Sequence, residues 1–239
     1  MLRKLLKYEM SAVSRIMLPI TACVLLCGVL AGGFIAAAFS LQLDTDTSAF
    51  SVFKNIFVFS LWGAVAMIIM AISAVTIVSF FVVVYRYYKS MYTDEAYLTF
   101  TLPVKSGRIV TSKFIVSYAW VLISTLAAII SMAFIVLTYV YMAFGGLEPI
   151  FEFFSEMREM FLSMYSTEYF IVIAVMLGLM ALVSPALTVL FAYASVSIGC
   201  QLASKHKVLA SIGVYFLLST WSSMGYYTVS LITQVLVRF

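Results

Sequence analysis

The chain has 239 residues, 64% of them hydrophobic and only 10% charged, with a formal net charge of +4 and a mean hydropathy of +1.12. So little charge cannot cover a water-exposed surface, which excludes a soluble domain and leaves no basic face for a nucleic-acid partner. Charged residues instead divide the chain into uncharged windows at 16–43, 55–85, 114–147, 169–204 and 208–237.

Each window exceeds the roughly 20 apolar residues that cross a hydrocarbon core, so the spans must tilt or project beyond it. Backbone groups in lipid need internal partners, and no ten-residue alternating segments of a barrel occur. The expectation is an all-α polytopic membrane protein with five spans, forming a single transmembrane domain over 1–239.

In chain order, residues 1–15 read as an amphipathic helix preceding the first span. Leu2, Leu5, Leu6, Met10, Val13 and Ile16 gather on one face, with Arg3, Lys4, Lys7, Ser11, Ser14 and Arg15 opposite. Such a helix suits the inner headgroup layer, where cations meet anionic lipid. Glu9 falls in the middle of the apolar face, so either it tips toward water or it meets a cation, with Arg86 and Lys89 the candidates. The first span carries Gly28 and Gly32, a pair of small residues that permits close helix contact. The second span runs into Tyr85-Arg86-Tyr87-Tyr88-Lys89, an aromatic and basic belt expected at the inner interface.

Residues 86–113 break the apolar pattern with five Lys/Arg and an adjacent acidic pair. Thr93 or Asp94 can cap a short helix, Asp94 and Glu95 suit its amino-terminal dipole, and Pro103 ends it, giving about two turns over 94–102. Tyr97, Leu98, Phe100 and Leu102 are more apolar surface than a solvated connector needs. They either fold onto the membrane surface or fill a groove on a partner. Ser106-Gly107 marks the next helix start.

Segment 148–168 is expected to hold a second amphipathic helix, with Pro149 in its first turn. Ile150, Phe153, Phe154, Met157, Met160, Phe161 and Met164 share one face; Glu152, Ser155, Glu156, Glu159 and Ser163 share the other. It reads as a lid over neighbouring spans or as an acidic exit surface. In the fourth window Pro185 interrupts the helical bonding. Ser184, Pro185, Thr188 and Tyr193, with Ser195 and Ser197, either line a translocation path or pack between helices. Around Trp221–Tyr227 a polar-aromatic stretch suggests that 226–237 is an interfacial or re-entrant tail.

Segments 1–15, 86–113 and 205–207 hold 11 of the 14 Lys/Arg, whereas 44–54, 148–168 and 238–239 hold seven of the ten acids. The positive-inside rule then puts the amino terminus in the cytoplasm. No cleavable signal is read at the amino terminus. Cys23, Cys27 and Cys200 fall within or at the edge of spans and read as packing residues, and no metal site is expected. No phosphate-binding Gly-x-x-x-x-Gly-Lys-Ser/Thr loop, His-Glu-x-x-His or Gly-x-Ser-x-Gly sequence occurs. No acid lies in the membrane interior for an ion relay. The chain therefore has no expected catalytic residue, and uphill work would draw energy from a partner.

Leu-Leu-Lys-Tyr-Glu at 5–9 and Asp-Glu-Ala-Tyr-Leu-Thr-Phe-Thr-Leu-Pro at 94–103 resemble the interfacial elbow helix and the coupling helix of permease subunits of bacterial type 2 ABC exporters. The resemblance covers roughly 1–125, and beyond that only the order of spans. It implies a plasma-membrane dimer, with a second copy or a homologue. Two copies of a separate ATPase subunit would hold ATP and magnesium and dock on Asp94, Glu95, Tyr97, Leu98, Phe100 and Leu102. It also implies that Lys105, Arg108 and Lys113 hold this helix against the inner leaflet. The uncharged, aromatic-rich spans suit a hydrophobic or amphipathic cargo such as a peptide. The family has six spans with both termini inside, whereas five windows put Phe239 outside. Either a sixth span lies beyond Phe239, or 208–239 folds back. The competing reading is a non-transporting scaffold or immunity-type subunit that recruits a soluble partner through 86–113.

Overall fold

A computed structural model describes residues 2–43, 50–93, 96–97, 101, 106–164, 167–203 and 206–237. Among them the chain is helical throughout, with α1 (Leu2–Leu43), α2 (Phe50–Tyr92), α3 (Ser106–Phe144), α4 (Glu148–Met164), α5 (Thr167–Leu202) and α6 (Lys207–Val237). Four segments are long and apolar enough to cross a membrane: Leu5–Gln42 in α1, Val52–Tyr92 in α2, Gly107–Phe144 in α3 and Ile171–Leu202 in α5. The protein is thus a polytopic helical membrane protein. At about 1.5 Å per residue, α1, α2 and α3 each extend well past a hydrocarbon core of about 30 Å.

Two boundaries differ from the sequence expectation. No turn separates residues 1–15 from the first span, because α1 runs unbroken from Leu2 to Leu43 with Pro19 inside it. Pro19 lacks only the backbone donor that would reach the Arg15 carbonyl; the apolar residues on both sides carry the helix through. Likewise α6 continues past Gly225-Tyr226-Tyr227 to Val237 as one helix, so the polar-aromatic stretch neither ends it nor folds it back.

The closest packing is α1 against α3 and α2, and α5 against α6. Gly28 and Gly32 set the first of these seams. A Cβ on Gly28 would lie 2.7 Å from Ser131 Cβ, and one on Gly32 would lie 2.7 Å from the Phe134 ring. The bare backbone lets the Ser131 hydroxyl lie 3.0 Å from the Val24 carbonyl across the seam. On α3, Ser117, Ser124 and Ser131 recur every seven residues and are all buried, small side chains of the kind that lets membrane helices approach closely. Gly199 does the same for α5 and α6, its position facing the Ser211 backbone.

Two apolar cores result. Toward the acidic end, Val24, Ala31, Ile35, Val65, Ile72, Ala127 and Ile135 join α1, α2 and α3 only. Phe39, Trp62 and Tyr139 close that end edge to face, with ring centroids 5.8–6.1 Å apart. Toward the basic end, Val13, Met17, Val83, Tyr87, Ile109, Val116 and Trp120 are joined by Val189, Tyr193 and Val196 of α5. Helix α5 therefore packs into the bundle through its second half, and no residue from Ile171 to Thr188 is buried. Beside the break made by Pro185, the Tyr118 hydroxyl of α3 donates to the Leu182 carbonyl at 2.9 Å. That tie holds α5 at the turn whose own bonding the proline weakens.

At the acidic end α3 stops at Gly145, whose φ of 72° is the left-handed cap that lets its N–H reach the Tyr141 carbonyl at 3.0 Å. Helix α4 follows with its acids exposed. Pro149, Ile150, Phe153 and Phe154 of its first turns face an apolar cavity of about 770 Å³ against α3. It is a partial lid, since Phe151 and Met160 stay exposed.

Candidate functional site

The inward face of the first turns of α1 is Leu6, Met10, Val13 and Met17, and Glu9 falls among them. Antiparallel α2 and parallel α3 each bring a cation to it. Lys113 Nζ lies 2.5 Å from one Glu9 oxygen, and the Arg86 guanidinium lies 3.7 Å from the other. Arg86 also donates to the Ala12 carbonyl at 3.4 Å. The Lys113 side chain is only 7% exposed and that of Glu9 20%, so the pair interacts with little screening.

Helix α5 joins through two tyrosines stacked face to face, Tyr87 and Tyr193, with centroids 3.7 Å apart and an interplanar angle of 10°. The Tyr193 hydroxyl lies 2.5 Å from the Ser117 hydroxyl and 3.5 Å from the Lys113 carbonyl. The Tyr87 hydroxyl shares a 3.1 Å hydrogen bond with Ser197. These residues enclose a void of about 10 Å³, which is about one water and no substrate. Both Glu9 oxygens face cations already, so the carboxylate is not set up as a general base. The arrangement is a joint in which one acid and a tyrosine stack fasten α1, α2, α3 and α5.

The sequence expectation of a cation for Glu9 is met by Arg86, and Lys113 is the second partner. Lys113 therefore does not face the leaflet, as the family resemblance implies; it points into the bundle because it shares the helical face of Ile109, Val116 and Ser117. Tyr87 is likewise core rather than belt, while Tyr85 is 64% exposed. Tyr193 is buried in the joint, packed between helices. Ser184 and Thr188 are exposed, and Thr188 turns its hydroxyl back to the Ser184 carbonyl at 2.8 Å; Pro185 is half-buried beside them. Lys7, Arg15 and Arg108 are exposed, and Arg3 and Lys4 stand on the first turn of α1.

Of the expected partner-binding surface, Tyr97 is helical and 77% exposed. Asp94, Glu95, Leu98, Phe100 and Leu102, with Pro103 and Lys105, lie outside the described residues. Just before them the Thr93 hydroxyl donates to the Lys89 carbonyl, and the Ala96 N–H reaches the Thr93 carbonyl at 2.8 Å. Of the joint's polar members, Ser117 was not singled out in the sequence, while Lys113 and Tyr87 were placed elsewhere, at the leaflet and in the belt. The available signal was their register: each lies three, four or seven residues from apolar positions of its own helix's inward face.

The chain matches no protein-family model, no curated protein and no solved structure.

Proposed function

We propose that the chain is the membrane-spanning subunit of an ATP-driven exporter, working with a separate ATPase subunit that binds ATP and magnesium. Helix α6 counts as a fifth span, the basic end faces the cytoplasm, and a second permease chain completes the path in a bacterial plasma membrane. The cargo class is hydrophobic or amphipathic.

One observation carries this reading. The segment bearing Asp-Glu-Ala-Tyr-Leu-Thr-Phe-Thr-Leu-Pro joins α2 to α3, and Glu9 binds a cation on each of those two helices close to that segment. A soluble partner pressing on 94–103 would therefore move α1, α2 and α3 together and carry α5 through the Tyr87–Tyr193 stack. That is the rigid-body transmission an alternating-access exporter needs.

The test is purification of a tagged chain from native membranes in mild detergent, with Leu98→Glu/Phe100→Glu as the comparison. A stoichiometric ATPase present with the wild type and absent from the variant supports the exporter reading. A wild-type chain that is folded and carries another soluble protein, with no ATPase, overturns it in favour of a recruiting scaffold.

A further inference from the structure

On the side of α2 away from Tyr87, the gap between α2 and the packed α5–α6 pair opens a groove of about 530 Å³, within the usual range for a small-molecule site. Phe81 and Tyr85 of α2, Ser195 of α5, and Ser211, Ile212 and Phe216 of α6 line it. Along its length it is apolar. Its two serines turn their hydroxyls back onto their own helices, Ser195 to the Ala192 carbonyl and Ser211 to the Lys207 carbonyl, both at 2.8 Å. None of the described residues that line it is charged, and the cations nearest in register stand at its basic end. Lys89 stands one turn beyond Tyr85 on α2, and Lys207 one turn before Ser211 on α6.

We propose that this groove binds one anionic phospholipid of the bilayer, with an acyl chain along Phe81, Ile212 and Phe216 and its phosphate at the Lys89–Lys207 mouth. The gradient from carbon to cation matches the amphiphile end for end, and basic clefts between membrane helices are sites for acidic headgroups. A second copy of this chain fits less well. Inserted in the same orientation it would bring its own basic end beside these lysines, where like charges repel. The site stands on the groove and its lysines and does not depend on the exporter reading.

The test places a reporter in the groove. Full-length Ile212→Trp, at a position half exposed in the wild type, is reconstituted in vesicles containing phosphatidylglycerol or phosphatidylcholine with brominated acyl chains. The quenching of wild-type protein, which keeps Trp62, Trp120 and Trp221, is subtracted. The expected result is quenching at lower mole fraction by the brominated phosphatidylglycerol, with a preference that falls about fivefold in Lys207→Gln, the worth of one surface cation. Equal quenching by the two lipids overturns the proposal. So does a preference unchanged in Lys89→Gln/Lys207→Gln. Efficient cross-linking between Ile212→Cys copies, with quenching of Ile212→Trp by neither lipid, overturns it in favour of a second chain.

Discussion

Glu9 is one carboxylate shared between two cations, so the consequences of changing it are asymmetric. Glu9→Gln leaves Lys113 buried beside Arg86 with no counter-charge. Removing one partner of a buried pair costs about 3 kcal/mol or more, and the unfolding midpoint in detergent should fall accordingly. Glu9→Gln combined with Lys113→Met removes the stranded charge as well, and most of the loss should return. A double variant as unstable as the sum of the two single ones would mean that the ion pair is not the joint's main tie. Tyr118→Phe is a milder change: it releases the Leu182 carbonyl near Pro185 and should lower stability by about 0.5–1 kcal/mol, the usual worth of one hydrogen bond between membrane helices. At this scale the sequence exposed the problem but not its full solution. A lone acid on an apolar face called for a cation, and Arg86 was within reach of that reasoning. Lys113 was hidden because a lysine near a helix start looks like an interfacial anchor until its register is set against the packed face.

Among the elements, the seams are governed by glycine. Gly28→Val would drive a branched side chain into Ser131, whose Cα lies 2.9 Å from the first added carbon, and should lose about 1–3 kcal/mol through overpacking. Gly33→Val is the control, since a Cβ there meets nothing within 4 Å, and it should leave the midpoint nearly unchanged. Gly199→Ala puts its methyl 2.4 Å from Ser211 Cα, where backbone must yield. It should therefore loosen α6 more than Gly28→Ala, for which the nearest atom is side chain, loosens α1. Thermal unfolding of the four variants checks all of these. The Gly28/Gly32 pair was visible in the sequence as a licence for contact, yet small residues in apolar helices do not say which helix they admit. The helix boundaries show the converse. Pro19 and the Trp221–Tyr227 stretch resemble stops in isolation, and helix on both sides overrides them, because in lipid a broken helix strands more backbone groups than one proline does.

For the whole molecule, uncharged windows anticipated every long helix, since length and hydropathy are properties of a segment by itself. How the helices group was not legible, because α5 is as apolar as α2 and nothing local tells which end of it packs. The placement of charge makes a further prediction. In a background lacking Cys23, Cys27 and Cys200, Ser155→Cys on exposed α4 should react with a membrane-impermeant maleimide on intact cells. Gly107→Cys at the basic end should react only after the membrane is opened. The reverse pattern would invert the proposed orientation.

Helix α1 is fastened twice, by Glu9 on one side of Pro19 and by Gly28 on the other, and between those fastenings lies the turn with a missing backbone bond. Met17 and Thr21 on either side of the proline are buried, so packing against the neighbouring helices holds α1 straight where its own bonding is thinnest. Because α2 and α3 run unbroken through both cores, α1 can bend at residues 15–19 only by sliding against them. Restoring the missing bond with Pro19→Ala should therefore raise the unfolding midpoint in detergent without disturbing either fastening.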